Sequence, residues 1–273
     1  MARSPEDQEL SEHFANEYRL AQTPVMLDLE RAVCGCDYGG TSWTTREEAE
    51  QMGRLLELGE GRKLLEIGAG SGWPALFLAG KSGCDATLAD VPFDALRIAA
   101  DRVASEPSAG EISLAVADGA CLPFKAGLFD AVSHSDVLCC LAPKHDVLNE
   151  CRRVIRRGGK MVFSVIFIPP GLSAADHARA VASGPPYMEA EYGYPELLEK
   201  TGWKVIDRID VSAAYANTGK RHIREVQVRA HEMSELLGEA EFGELLARRH
   251  RNVKAVADGI VQRHLFVASP FPP

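Results

Sequence analysis

Residues 64–73 read Leu-Leu-Glu-Ile-Gly-Ala-Gly-Ser-Gly-Trp, an apolar run that ends in three alternating glycines, Gly68, Gly70 and Gly72. The aliphatic stretch predicts a buried strand, and the glycines predict a tight turn into a helix over residues 74–81. A side chain on that turn would hold a ligand away from the backbone, and the helix start beyond it offers free amides. The dinucleotide fingerprint G-x-G-x-x-G needs a glycine where this chain has Trp73, which disfavours a nicotinamide cofactor.

Outward from this turn, short apolar runs alternate with helical patterns. Residues 63–68, 85–90, 112–118, 129–135 and 161–168 read as buried strands. Between them lie helices at 74–81, 93–104 and 144–157, the last stopped by Gly158 and Gly159. Such alternation predicts an α/β fold with a parallel sheet covered on both faces. Ahead of the first strand, Thr44 to Glu47 fits a capping box for a helix over 45–58. After the fifth come a helix at 195–201, a strand at 203–211 and a closing strand at 259–269. Residues 169–194 and 213–258 read as insertions that form a lid over the carboxyl edge of the sheet, where ligands bind in such folds.

Composition narrows the function. The 273 residues are 46% hydrophobic and 25% charged, enough for a core, and the formal charge of -9 comes without a basic run. Nucleic acid and anionic membranes are therefore poor partners. Residues 1–10 are polar and acidic, unlike a secretory signal, and no apolar run approaches the roughly twenty residues of a membrane span. The expected compartment is the cytoplasm. Seven cysteines, none in a Cys-x-x-Cys pair, read as buried free thiols. A metalloid site built from Cys34 or Cys36 with Cys139 and Cys140 is the less economical reading, and the histidine spacings give no metal motif.

Two carboxylates stand in register with the glycine turn. Asp90 closes the second strand about twenty residues on, where an acid accepts ribose hydroxyls. Asp118, Gly119 and Ala120 follow the third strand, an acid beside room for a flat ring. With Glu66 to Gly72 and the Arg152-Arg153-Val154 helix before Gly158, these elements make the chain resemble the class I S-adenosylmethionine-dependent methyltransferases over about residues 60–168. The resemblance implies a Rossmann-like, mostly parallel sheet of seven strands with helices on both faces and the last strand antiparallel. It also implies S-adenosylmethionine as cofactor. Glu66, Gly68, Ala69, Gly70 and Gly72 would lie at its methionine part, Asp90 and Val91 at the ribose, Asp118, Gly119 and Ala120 at the adenine, and Ser135 beside them. Residues 1–60 would form an N-terminal helical segment covering the cofactor site, and 61–273 the cofactor-binding domain.

Within the family the chain is most similar to small-molecule N-methyltransferases of the phosphoethanolamine and sarcosine or dimethylglycine type. The marks are Gly35-Cys36-Asp37-Tyr38, Ser133-His134-Ser135-Asp136 and the long helical insertion before the last strand. Cys140 stands where phosphobase enzymes place a histidine, and Pro185-Pro186 where they carry basic residues, so a phosphorylated amine is not the expected acceptor. Asp136 and His134 are the candidate bases, with Asp136 preferred because alternation turns one of the two away and the family places an acid there. His134 reads equally well as a core histidine, and Asp136 as a helix cap. Tyr18, Tyr38, Trp43, Tyr187, Tyr192 and Tyr215, with Cys140, are candidate walls for the acceptor. Arg221, Arg224 and Arg229 are within reach of an acidic substrate. The expectation is methyl transfer to a small molecule, at nitrogen rather than oxygen. The alternatives are a nicotinamide oxidoreductase and a non-catalytic binder of the same cofactor.

Overall fold

The computed structural model describes residues 5–106 and 108–271. Residues 1–4 and the last two prolines of the Pro-rich end lie outside them, so the expected N-terminal segment is described only from residue 5. Among the described residues seven strands form one sheet: β1 (Lys63–Ile67), β2 (Asp85–Asp90), β3 (Ile112–Val116), β4 (Phe129–Ser135), β5 (Ile155–Phe167), β6 (Trp203–Asp210) and β7 (Gln262–Pro270). Their order is β3-β2-β1-β4-β5-β7-β6. Neighbours from β3 through β5 are parallel, and β7 runs antiparallel to both β5 and β6. This is the architecture expected from the motif order.

Strands β1, β4 and β7 and the second half of β5 are almost wholly buried because both of their faces are covered. Strand alternation sends Leu65, Val132, Phe163 and Phe266 into one buried cluster, while Leu64, Ala131, Val162, Leu265 and Val267 enter another. Helices α4 (Ala75–Ser82), α5 (Phe93–Ser105) and α6 (Lys144–Val154) supply the crossovers. The N-terminal segment contributes α1 (Pro5–Ala21), α2 (Pro24–Cys34) and α3 (Arg46–Leu56). The two insertions contribute α7 (Ala174–Val181), then α9 (Ser212–Val228), α10 (Ala230–Leu237) and α11 (Glu239–Ala257), with α8 (Tyr194–Lys200) between them. Helix α9 packs on α2 and α11, and α1 packs on α5. No helix among the described residues is long and apolar enough to cross a membrane.

Two boundaries differ from the sequence reading. The capping box of α3 is Thr45 with Glu48, one residue later than the Thr44 to Glu47 register, because Glu48 returns to the Thr45 amide at 2.9 Å. Thr44 is thereby released for another partner. The Gly158-Gly159 pair does not stop α6, which ends at Val154. Ile155 already pairs with Phe129, and the glycines sit where the β4–β5 register slips between Phe129 and Ala131, a bulge that Gly158 fits with φ of 72°.

Candidate active site

The carboxyl ends of β1 to β4 converge on one cavity lined by Ile67, Gly68 and Ala69 after β1, Asp90 and Val91 after β2, and Ala117, Asp118 and Gly119 after β3. Ser135 and Asp136 follow from β4. The N-terminal segment covers it with Phe14, Tyr18 and residues 40–43, and the first insertion closes one end with Pro185 and Tyr187. The Tyr187 amide donates to the Cys139 carbonyl at 2.9 Å, which ties that insertion to the turn after β4.

The glycine turn is held by the neighbouring strand. Asp90 accepts from the Gly70 amide at 2.7 Å and from the Val91 amide at 2.7 Å. Burial pushes its carboxyl up to about 6, against the pull of these two amides. Gly70 has φ of 55°, and a Cβ there would meet the Tyr18 hydroxyl at 2.2 Å, so this position excludes side chains on two counts. The Tyr18 hydroxyl accepts from Thr41 Oγ1 at 3.1 Å, so α1 and the 40–43 loop meet directly above the turn. Ser71 Oγ, also lining the cavity, is buried without a hydrogen-bond partner. Such an orphaned hydroxyl at the foot of a glycine turn is a place where a polar ligand atom belongs.

At the other end the cavity is lined by Trp43, Cys139, Cys140, Ile166, Pro185 and Tyr187. Asp136 lies at the junction, with a left-handed φ of 58° that aims its side chain back across the sheet. Its carboxylate accepts from Arg263 Nε at 2.9 Å and 3.2 Å, from Ser164 Oγ at 3.0 Å and from the Trp43 amide at 3.3 Å. Arg263, on β7 and 1% exposed, also reaches Glu48, Thr44 Oγ1 at 3.2 Å and Ser164 Oγ at 3.1 Å. Burial works against the charge of Arg263, but Asp136 and Glu48 outweigh it and hold the guanidinium protonated. The loop over the cavity is thus fastened to the sheet by one buried cation.

The sequence candidates divide as follows. Gly68, Ala69, Asp90, Val91, Asp118, Gly119, Ser135, Asp136, Cys140, Tyr18, Trp43 and Tyr187 line the cavity. Glu66 does not: it is buried between β1 and β4 against Ser133, and burial raises its carboxyl to about 8. His134 points to the opposite face, stacked on Phe163 with ring centroids 4.5 Å apart and neither nitrogen bonded, and burial lowers it to about 3. A proton acceptor in that position has no path to the cavity. Gly70, Gly72 and Ala120 lie behind the lining, with the Ala120 amide bound to Asp118 at 2.8 Å. Tyr38 packs on Trp73 under Arg102, Tyr192 lies under Lys200, and Tyr215 stands edge-on behind Trp43 at 5.4 Å. Arg263 was the residue passed over; its only signal was an arginine inside the predicted closing strand at 259–269.

Comparison with known proteins adds a family. Residues 65–163 match the model of a methyltransferase domain. Methyltransferase GfsG of Streptomyces halstedii is 32% identical over 176 residues, covering 62% of this chain and 63% of that protein. O-methyltransferase rstn1 of Aspergillus nomiae is 24% identical over 61% of this chain and 75% of its own length. Among solved structures, Haemonchus contortus phosphoethanolamine N-methyltransferase 2, in complex with phosphomonomethylethanolamine and S-adenosylhomocysteine, superposes with a TM-score of 0.78 at 17% identity. That superposition spans 96% of this chain and 60% of the nematode one. The chain therefore spans less than two thirds of the length of GfsG and of the nematode enzyme, and the structural likeness speaks for the fold.

Proposed function

Because residues 65–163 form a methyltransferase domain of class I, we propose that this chain transfers the methyl group of S-adenosylmethionine to an oxygen of a small, largely apolar acceptor. The glycine turn, the orphaned Ser71 hydroxyl and the paired amides on Asp90 fit the methionine and ribose parts of that cofactor. Asp118, exposed beside buried Gly119, fits the adenine edge. When bound, the cofactor supplies an electrophilic methyl group; the chain supplies position and a shelter from water.

The observation that carries the choice of oxygen is the Arg263–Asp136 pair. A protonated amine needs a free carboxylate to hold it and to receive its proton. The carboxylate nearest the acceptor end is already matched to a buried cation and to two further donors, the Ser164 hydroxyl and the Trp43 amide, so it is not free to take up a second cation. A neutral hydroxyl needs no second anion to hold it: it can donate a hydrogen bond to Asp136 and release its proton through that carboxylate to solvent as the methyl group is transferred, while its carbon skeleton packs on Trp43, Ile166 and Pro185. Transfer to an amine nitrogen, the expectation from sequence, keeps one support, since Trp43, Tyr18 and Tyr187 supply aromatic faces for a cation. Incubation with methyl-labelled cofactor and matched phenols, aliphatic alcohols and amines tests the reading. Labelled ethers support it; label appearing only on nitrogen overturns it.

The ribose assignment makes a pH prediction. With a carboxyl raised to about 6, Asp90 is ionised at pH 8 and protonated at pH 5, and the ionised form is the acceptor for two ribose hydroxyls. Affinity for S-adenosylhomocysteine should fall as pH drops below about 6, approaching tenfold per unit. Asp90→Asn should weaken binding at pH 8 by about 1–3 kcal/mol and flatten that profile. Calorimetry from pH 5 to 8 reads both, and an unchanged profile in the variant refutes the assignment.

A further inference from the structure

Residues 39–45 lie over the cavity as a strap that runs from the glycine turn to Asp136. Gly40 and Thr41 line the cavity at the turn, where Thr41 meets Tyr18, and Ser42 and Trp43 continue to the acceptor end. That far end is fixed by the Trp43 amide on Asp136 and by Arg263 on Thr44, while Trp73 Nε1 donates to the Thr44 carbonyl at 2.8 Å. The cofactor end has a hold of its own. Glu30, half-buried on α2, accepts from the Gly39 amide on one carboxylate oxygen at 2.6 Å and from the Gly40 amide on the other at 3.1 Å. The Cys36 thiol donates to this second oxygen at 3.4 Å.

Two successive amides that converge on one anion form a nest, and Gly39 supplies the left-handed turn it needs with φ of 64°. A Cβ on Gly40 would lie 3.3 Å from Glu30 Oε1 and 3.6 Å from Trp73 Cβ, so the strap threads a narrow gap between α2 and the end of the glycine turn. Each carboxylate oxygen serves a different amide. A side-chain amide offers one oxygen only and would set its own N–H groups against the second donor. We propose that Glu30 is a positioning residue that holds the cofactor end of the strap closed, and so governs how long S-adenosylmethionine or its product stays bound. This rests on the reading of the cavity as a cofactor site. Glu30 is not part of the cavity lining and acts through Gly40 and Thr41. Because Asp136 and Arg263 hold the other end independently, losing the nest should free the cofactor end first.

The test follows S-adenosylhomocysteine on the full chain, by calorimetry for affinity and by chasing radiolabelled ligand with unlabelled excess for the dissociation rate. Glu30→Gln keeps the shape and removes one acceptor. It should raise the dissociation constant and the dissociation rate together by about tenfold, with the association rate within about twofold of the parent. Urea unfolding of the same variant separates a merely structural role: a lowered midpoint with an unchanged dissociation rate overturns the proposal, as does unchanged affinity. Cys36→Ala leaves both glycine amides paired and should stay within about twofold in affinity; a loss as large as that of Glu30→Gln would move the hold from the strap to the thiol and overturn the proposal too. If Glu30→Gln does not fold, hydrogen exchange in the parent decides, since the Gly39 and Gly40 amides exchange only when the strap leaves Glu30. Saturating S-adenosylhomocysteine should slow exchange over residues 38–41 by about tenfold or more, and exchange there that ignores the ligand overturns the proposal. A parent chain that binds no S-adenosylhomocysteine sinks the cofactor reading instead, a separate outcome.

Discussion

Arg263→Met should lower the stability of the chain by about 3–5 kcal/mol, the cost of stranding a buried carboxylate. The number is large because this one guanidinium joins four parts of the molecule: β7 carries it, Asp136 follows β4, Ser164 lies on β5, and Glu48 opens α3. Methionine fills much of the volume but leaves the Asp136 carboxylate with Ser164 and the Trp43 amide alone, in a site 8% exposed. Urea unfolding measures the loss. Asp136→Asn should be destabilising for the reciprocal reason, an unmatched arginine. The double variant should recover part of the sum, since neither charge then lacks its partner. A loss below about 1 kcal/mol for Arg263→Met would mean that water already serves the carboxylate, and the argument against a free base at Asp136 would go with it.

The same pair marks where sequence reading runs out. The glycine turn, Asp90 and Asp118 are legible because each is set by local backbone geometry a few residues from a strand end, and the sheet order follows from strand-helix alternation. Asp136 was legible as a residue at the cavity, but its state was not, since its partner lies 127 positions away on the antiparallel strand. Strand alternation, the reason given for preferring Asp136, does not separate the two, because His134 and Asp136 are two apart on β4 and share a face while the strand lasts. The left-handed turn at Asp136, a conformation asparagine and aspartate reach more readily than most residues, breaks that equivalence, and no pattern in the sequence announces it. The aromatic candidates failed for a simpler reason. A tyrosine at a loop or helix start serves equally well as packing, and Tyr38, Tyr192 and Tyr215 stand outside the cavity lining, against Arg102, Lys200 and Trp43.

Glu66 lies in the motif itself, yet the structure turns it away from the ligand, and this gives the second large prediction. Its side chain is 1% exposed, with one oxygen bonded to Ser133 and the other without a partner. Burial raises the carboxyl from its ordinary 4.5 to about 8, only partly opposed by Ser133. The folded state therefore favours the protonated form, and the stability that the group contributes is complete below about pH 4.5 and drains away as pH rises toward 8. The span is worth several kcal/mol at about 1.4 kcal/mol per pH unit. Glu66→Gln holds a neutral side chain of the same shape at every pH. It should remove Glu66's share of the decline between about pH 5 and 8, leaving the shifts of other groups such as Asp90 in place, and should match or exceed the parent at pH 8 even after about 1–3 kcal/mol for an amide hydrogen without an acceptor. Because Glu66 does not line the cavity, the affinity for S-adenosylhomocysteine should stay within a few-fold of the parent. Chemical denaturation across pH separates the two effects from calorimetry on the ligand. A steep fall in affinity with unchanged stability would put this carboxylate in contact with the cofactor, and the strand, not the turn, would then carry part of the recognition.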